Sequence, residues 1–234
     1  MKIISMMIFL ALIQVITIAS AQEFPKKKPI KIVVGAAVGG GADTLTRIIA
    51  DSLQRKIGQT VIVENKAGAS GAIGAQYVAK SPADGYTLLF LGSEFSALPA
   101  VRRNLPYKIE DFTFLVRCFT SQPMLLARPG LPVNSVNELI ARMKTHPSKI
   151  TYGSTGVGGV IHLATSMFEG AAGVRALHVP DTGSVLTYSA MMGGHVDFTE
   201  GIVPFLDGLK VLASTGTRRH PAYPDVPTLE ESLE

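Results

Sequence analysis

The chain has 234 residues, 47% of them hydrophobic and 17% charged, a balance that excludes an intrinsically disordered polymer. Its formal charge of +4 is modest and its densest basic run is only 26–28, so nothing points to a nucleic-acid partner. A single cysteine, Cys118, excludes an internal disulfide; a lone thiol in an exported chain is expected to be buried as a small hydrophobe.

Met1-Lys2 supplies a positive start, 3–18 is mostly apolar, and Ala19-Ser20-Ala21 forms a small-x-small site. The apolar run falls short of the ~20 residues that span a bilayer. The segment 1–21 is therefore expected to be a cleaved secretory signal, with a mature, exported chain from Gln22. "PIKIVV" (29–34) reads as a strand, and "DTLTRIIADSLQRKIG" (43–58) as a helix with one buried face (Leu45, Ile48, Ile49, Leu53, Ile57) closed by Gly58. "TVIVEN" (60–65) is a strand, "GAIGAQYVAKS" (71–81) a short helix, and "YTLLFLG" (86–92) a strand. This rhythm predicts a parallel sheet. After a polar, turn-rich stretch near 100–112, "FTFLVRCF" and "PMLLARP" read as extended. "SVNELIARMK" (135–144) is a helix with Ser135 as N-cap and Glu138 at the capping-box position. Strands at 150–154, 174–180, 195–201 and 209–215 and helices at 160–173 and 184–194 complete a second α/β unit. Two such units behind an export signal suggest a two-lobed binding protein with its ligand in the cleft.

The loop "GAAVGGGAD" sits between strand and helix, where phosphates are often held. A dinucleotide loop needs a third glycine where Thr44 stands, and a Walker loop needs Gly-Lys-Ser/Thr where Gly41-Ala42-Asp43 stands. Asp43 would also repel a phosphate. A second loop of the same kind, "YGSTGVGGVIHL" (152–163), opens a helix in the second unit. Helix starts expose backbone N–H groups and the positive dipole end, so one loop per lobe suits a small anion. The alternative from physics alone is that the glycines only make tight turns and close packing.

Over nearly the whole mature chain, "KPIKIVVGAAVGGGADTLTRIIADSLQRKIGQTVIVENKAGASGAIGAQYVAKSPADGYTLLF", "NLPYKIEDFTFL", "HVP", "GGHVDF" and "PAYPDVPTLEE" resemble the tripartite tricarboxylate transporter receptor family, also called Bug receptors. The resemblance implies an α/β, two-lobed periplasmic binding protein of type II, Venus-flytrap topology. It implies a periplasmic, monomeric, non-enzymatic receptor that captures a small carboxylate and delivers it to a separate membrane permease. Carried over, the first-lobe contacts are Ala36, the run Gly39, Gly40, Gly41, Ala42 and Asp43, and Ser93. Those of the second lobe are Ser154, Thr155 and Gly156, then Asp181, Thr182, Gly183 and Ser184, with Asp197 nearby. The implied domains are 22–110 with 216–234 for the first lobe and 111–215 for the second.

Three departures stand out. Ala36 replaces a frequent aromatic, and Asp181-Thr182-Gly183 replaces Tyr-Lys-Gly, a change unfavourable to an anion by ~1 kcal/mol. Family members also continue well beyond "PDVPTLEE", so a chain stopping at Glu234 is expected to be C-terminally truncated, leaving its first lobe incomplete.

Two other function classes compete. Ser154, His162 and Asp181 or Asp197 could form a hydrolase triad on paper, but no Gly-x-Ser-x-Gly elbow surrounds Ser154. A sensor that reports ligand occupancy to a signalling partner would share every feature above. No cofactor or metal is expected: His146, His162, His178, His195 and His220 show no metal-ligand spacing and read as structural or surface residues.

Overall fold

β1 (Ile30–Val34) is the hub of the first sheet because its alternate residues have cover on both faces: Ile30 and Ile32–Val34 are all buried. Such strands are near-continuous β-branched runs in parallel sheets. β2 (Val61–Asn65) and β3 (Thr87–Phe90) flank it, both parallel, in the order β2-β1-β3. The computed structural model describes residues 24–202 and 208–234, so the expected signal segment 1–21 lies outside the described residues. Among the described residues no helix is long and apolar enough to cross a membrane.

Helix α1 (Gly41–Ile57) connects β1 to β2 and ends, as its sequence predicts, at a left-handed Gly58. Its buried face differs from the expected one. Asp43, Thr46 and Ala50 point inward, whereas Leu45, Ile49, Leu53 and Ile57 are half-buried and Ile48 is 61% exposed. The polar Asp43 is the reason, because it is pinned to β2 through Asn65 and rotates the helix accordingly. After α2 (Ala72–Ala79), α3 (Glu94–Val101) follows β3; the sequence reading missed α3, with Pro99 inside it. Phe95 of α3 packs flat on Tyr107 at 5.3 Å and edge-on to Phe112 at 5.0 Å, forming the first unit's aromatic core.

The second sheet has the order β6-β5-β7-β4-β8, built from β4 (Met124–Ala127), β5 (Thr151–Ser154), β6 (Leu177–Pro180), β7 (Phe198–Gly201) and β8 (Lys210–Ser214). β5 is parallel to β6 and β7, while β4 runs antiparallel to β7 and β8. β4 is buried throughout, with one face on a core of Leu139, Met143, Phe168 and Phe198 and the other on Met191 and Val196. A fully buried Leu or Phe contributes about 1.5–3 kcal/mol. α4 (Val136–Thr145), α5 (Val160–Ala172) and α6 (Ser184–Met192) cover the sheet. Ser135 caps α4 as predicted, its hydroxyl accepting the Glu138 N–H at 3.2 Å.

Two expectations are corrected here. Residues 216–234, assigned to the first lobe, pack on the second: Thr228 bridges to Ser214 of β8, and Leu229 of α7 (Leu229–Leu233) joins the core beside α4. Cys118 is exposed, not buried, in the stretch 113–121 that belongs to no helix or strand and leaves Phe114, Leu115 and Val116 exposed as well.

Candidate functional site

The carboxyl ends of β1 and β5 each lead through a glycine loop into a helix; the first loop faces the 183–184 turn and the second faces Ser70. The first loop is held from inside. Asp43, 2% exposed, accepts hydrogen bonds from Gly39 N–H (2.9 Å), Asn65 Nδ2 (2.9 Å) and Arg47 Nε (3.1 Å). Asn65 also donates to the Ala36 carbonyl at 3.1 Å. Burial on its own would raise the Asp43 pKa, but the bonds from Arg47, Gly39 and Asn65 outweigh it and hold the carboxyl below its ordinary range. Asp43 is thus an ionised brace whose charge Arg47 offsets, and it no longer opposes an anion as its sequence position suggests.

The helices that open toward the cleft share one feature. α1, α5 and α6 have Gly40, Gly159 and Gly183 as N-caps, and none carries a side-chain cap. Their first intrahelical bonds begin at Thr44, Leu163 and Thr187, leaving the N–H groups of the first turns outside the helical ladder. α4 and α7, which start elsewhere on the surface, are capped by the side chains of Ser135 and Thr228. A Cβ built on Gly183 would fall 2.9 Å from Ala37 Cβ, and one on Gly40 would fall 3.5 Å from Ser184 Oγ. The starts of α1 and α6 therefore meet across the two units, while Gly159 at the start of α5 packs against Ser70 of the first unit.

Ser70 adds a residue that sequence reasoning missed. Gly68, Ala69, Ser70 and Gly71 all have positive φ, at 118°, 51°, 54° and 85°. Two non-glycine residues in this region cost roughly 1–3 kcal/mol each and persist only where the surroundings enforce them. Here the turn presses Ser70 against the opposite loop, where a Cβ on Gly156 would lie 2.8 Å from Ser70 Oγ. Only the flanking glycines of "GASG" hinted at a turn.

The remaining expected residues divide clearly. Ser154 is fully buried and organises its own loop: its hydroxyl accepts the Gly156 N–H at 3.1 Å and lies 2.6 Å from His178 Nε2. Thr155 is half-buried beside it, and Gly156 takes the left-handed turn at φ 128°. Asp181 donates its N–H to the Ser154 carbonyl at 2.8 Å and folds its carboxylate onto the Thr182 N–H at 2.6 Å. Thr182 is exposed, Ser184 opens α6, and Ser93 precedes α3 on the surface beyond β3. Asp197 is not brought to the cleft. It bonds Thr151 N–H (2.9 Å) and Arg128 Nε (2.8 Å), at the opposite end of β5 from Ser154.

Behind the second loop the rings of Tyr152, His178 and His162 stack, with centroids 4.7 Å and 4.5 Å apart. His162 Nδ1 accepts the Gly158 N–H at 3.2 Å, so both histidines tie the loop down. Ser154 pairs with His178 and not with His162 as the triad on paper required. Burial, then the neighbouring His162, push the His178 pKa below its ordinary value, while Glu169 opposes the shift weakly. A histidine held neutral stabilises the fold fully above its unfolded pKa of about 6.5, and the stabilisation is lost as pH falls through the lower folded value. Thermal melts at pH 7.5 and 5.0 should accordingly show a larger Tm drop for the wild type than for His178→Asn. Equal drops would assign the acid sensitivity to other groups.

A family profile described as "Tripartite tricarboxylate transporter family receptor" matches residues 45–234. The UPF0065 protein in the gbd 5' region of Cupriavidus necator is 33% identical over 218 residues, 91% of this chain and 66% of that relative, so the chain spans about two thirds of its length. Among solved structures, R. palustris Rpa4515 with adipate superposes with a TM-score of 0.85 at 32% identity, covering 90% of this chain and 73% of that one. MatC of Rhodopseudomonas palustris with bound malate gives 0.82 at 29% identity, covering 89% and 74%.

Proposed function

The chain belongs to the tripartite tricarboxylate transporter receptor family, a family of two-lobed α/β periplasmic binding proteins, and from that premise we propose that it captures a small carboxylate between its two units. The observation that carries this reading is that three glycine-capped helix starts lie at the contacts between the units, α1 against α6 and α5 against the Ser70 turn. Each offers N–H donors and a positive dipole end to a carboxylate, worth roughly 0.3–1 kcal/mol per helix end. Of the nearby acids, Asp43 is neutralised by Arg47 and Asp197 lies away with Arg128; Asp181 has no cation partner among the described residues and works against an anion, its carboxylate folded onto the Thr182 N–H.

The adipate and malate of the two neighbouring structures support a dicarboxylate in particular. Delivery to a membrane permease, a periplasmic location and a monomeric receptor follow from the family reading. Turnover by the paper triad has no support here, since Ser154 pairs with His178 and not with His162. Isothermal calorimetry of the chain with mono-, di- and tricarboxylates, sugars and metal cations tests the proposal. Heat confined to carboxylates is expected, with adipate or malate among the binders. Binding of sugars or cations with no carboxylate binding at all would sink the reading.

A further inference from the structure

The expected anion site contained no arginine, yet one reaches across the cleft. Arg102, at the C-cap of α3, donates from Nη2 to the Val157 carbonyl at 2.6 Å. Ser70 Oγ donates to the same carbonyl at 3.2 Å. A carbonyl oxygen has two lone pairs, and here both are taken by side chains of the first unit. A Cβ built on the next residue, Gly158, would fall 3.4 Å from Arg102 Nε and Val101 and 3.5 Å from Leu98, so the two units lie close beyond this one bond. Val157 itself projects outward, 52% exposed, leaving its carbonyl as the group engaged.

We propose that Arg102 and Ser70 form a latch on the Val157 carbonyl that sets how much of the receptor is closed, making Arg102 an affinity-determining residue that never touches the carboxylate. The proposal rests on the carboxylate-receptor reading for its functional consequence. A ligand that binds only the closed form has an apparent Kd equal to its intrinsic Kd divided by the closed fraction. A hydrogen bond from a charged donor is stronger than a neutral one, but Arg102 is half-exposed, which weakens it. Its loss should lower the closed-to-open ratio about tenfold, and the Ser70 bond about threefold. The strained Ala69-Ser70 turn is consistent with this: its geometry is what aims the hydroxyl at the opposite loop.

The test uses spin labels on Lys56→Cys and Lys144→Cys, exposed sites on the two units, in a Cys118→Ser background. Distances are measured without ligand in the parent, Arg102→Ala, Arg102→Lys and Ser70→Ala/Arg102→Ala. The latch requires a shift toward longer distances in Arg102→Ala, a partial return in Arg102→Lys, and a larger shift in the double variant. Superimposable distributions for the parent and the double variant would overturn it. Adipate titrations of the same set should show Kd rising for Arg102→Ala, by a factor that grows with the open fraction of the parent and does not exceed about tenfold. Because the distances are read without ligand, a parent that binds no carboxylate defeats the functional reading, while the distances still decide whether the latch exists.

Discussion

Replacing Gly183 with alanine and then valine should weaken carboxylate binding stepwise, by about tenfold and then about 100-fold, with little loss of folding stability. Gly183 has φ −177°, extended backbone open to any residue, so the substitutions introduce no local strain. The three atoms nearest a Cβ at this position all belong to Ala37 of the opposite unit, the closest at 2.9 Å. A methyl there must either push the units apart or overpack the contact, which typically costs about 1–3 kcal/mol. That cost falls on the closed form alone. Within its own unit the change costs α6 an N-cap glycine, about 1 kcal/mol at most. Calorimetry and thermal melts on the three proteins check both halves. Equal affinities across the series would show that 37 and 183 do not meet in the binding form.

Glu200→Gln should stabilise the protein by about 3 kcal/mol at pH 7, the largest single gain expected from one substitution. Glu200 is 3% exposed on β7, and burial pushes its pKa from 4.5 up to about 8. At neutral pH the folded chain keeps it protonated, while the unfolded chain releases the proton. A raised pKa of this kind leaves stability intact below the unfolded value and erodes it as pH rises toward the folded one. The penalty therefore grows between pH 4.5 and about 8. A glutamine keeps the volume and has no proton to lose, so its advantage should vanish near pH 4.5 and reach its maximum near pH 8. For a chain of this size that is about 6–12 °C in Tm at pH 7. A Tm difference that stays flat with pH would mean that Glu200 is not held protonated. The same protonation matters for binding, because a neutral acid near the carboxyl end of β7 does not repel an anion.

Much of this architecture was legible because its signals are local. The 2.0- and 3.6-residue periods, Gly58 as a stop and Ser135 as a cap depend on neighbours within a turn or two. The paired glycine loops were legible for the same reason. What escaped depends on partners distant in the chain. The inward turn of Asp43 requires Asn65, 22 residues away, and the partnership of Ser154 with His178 spans 24. Asp197 is placed near the cleft only by the family resemblance; it stands just before β7, so its side chain meets Thr151 and Arg128 at the far end of the sheet. Ala69 and Ser70 escaped because neither residue type advertises positive φ; only the fit against Gly156 and Gly159 enforces it. The last segment, 216–234, was assigned by family expectation, whereas the side chain of Leu229 and the backbone of Thr228 attach it to the second sheet.

The glycine caps on α1, α5 and α6 carry a consequence for how such a receptor responds to genetic change. A grip made of main-chain amides has no side chain to delete, so an alanine scan would pass over the groups that hold the ligand and report only those that frame it. Ligand preference is then free to drift through the framing positions, such as Ala36 or Asp181, while the amides persist in every variant that folds. The direct witness would be spectroscopic: amide nitrogen and proton resonances of 41–43, 160–162 and 184–186 should move on saturation with carboxylate, whichever residues occupy those places.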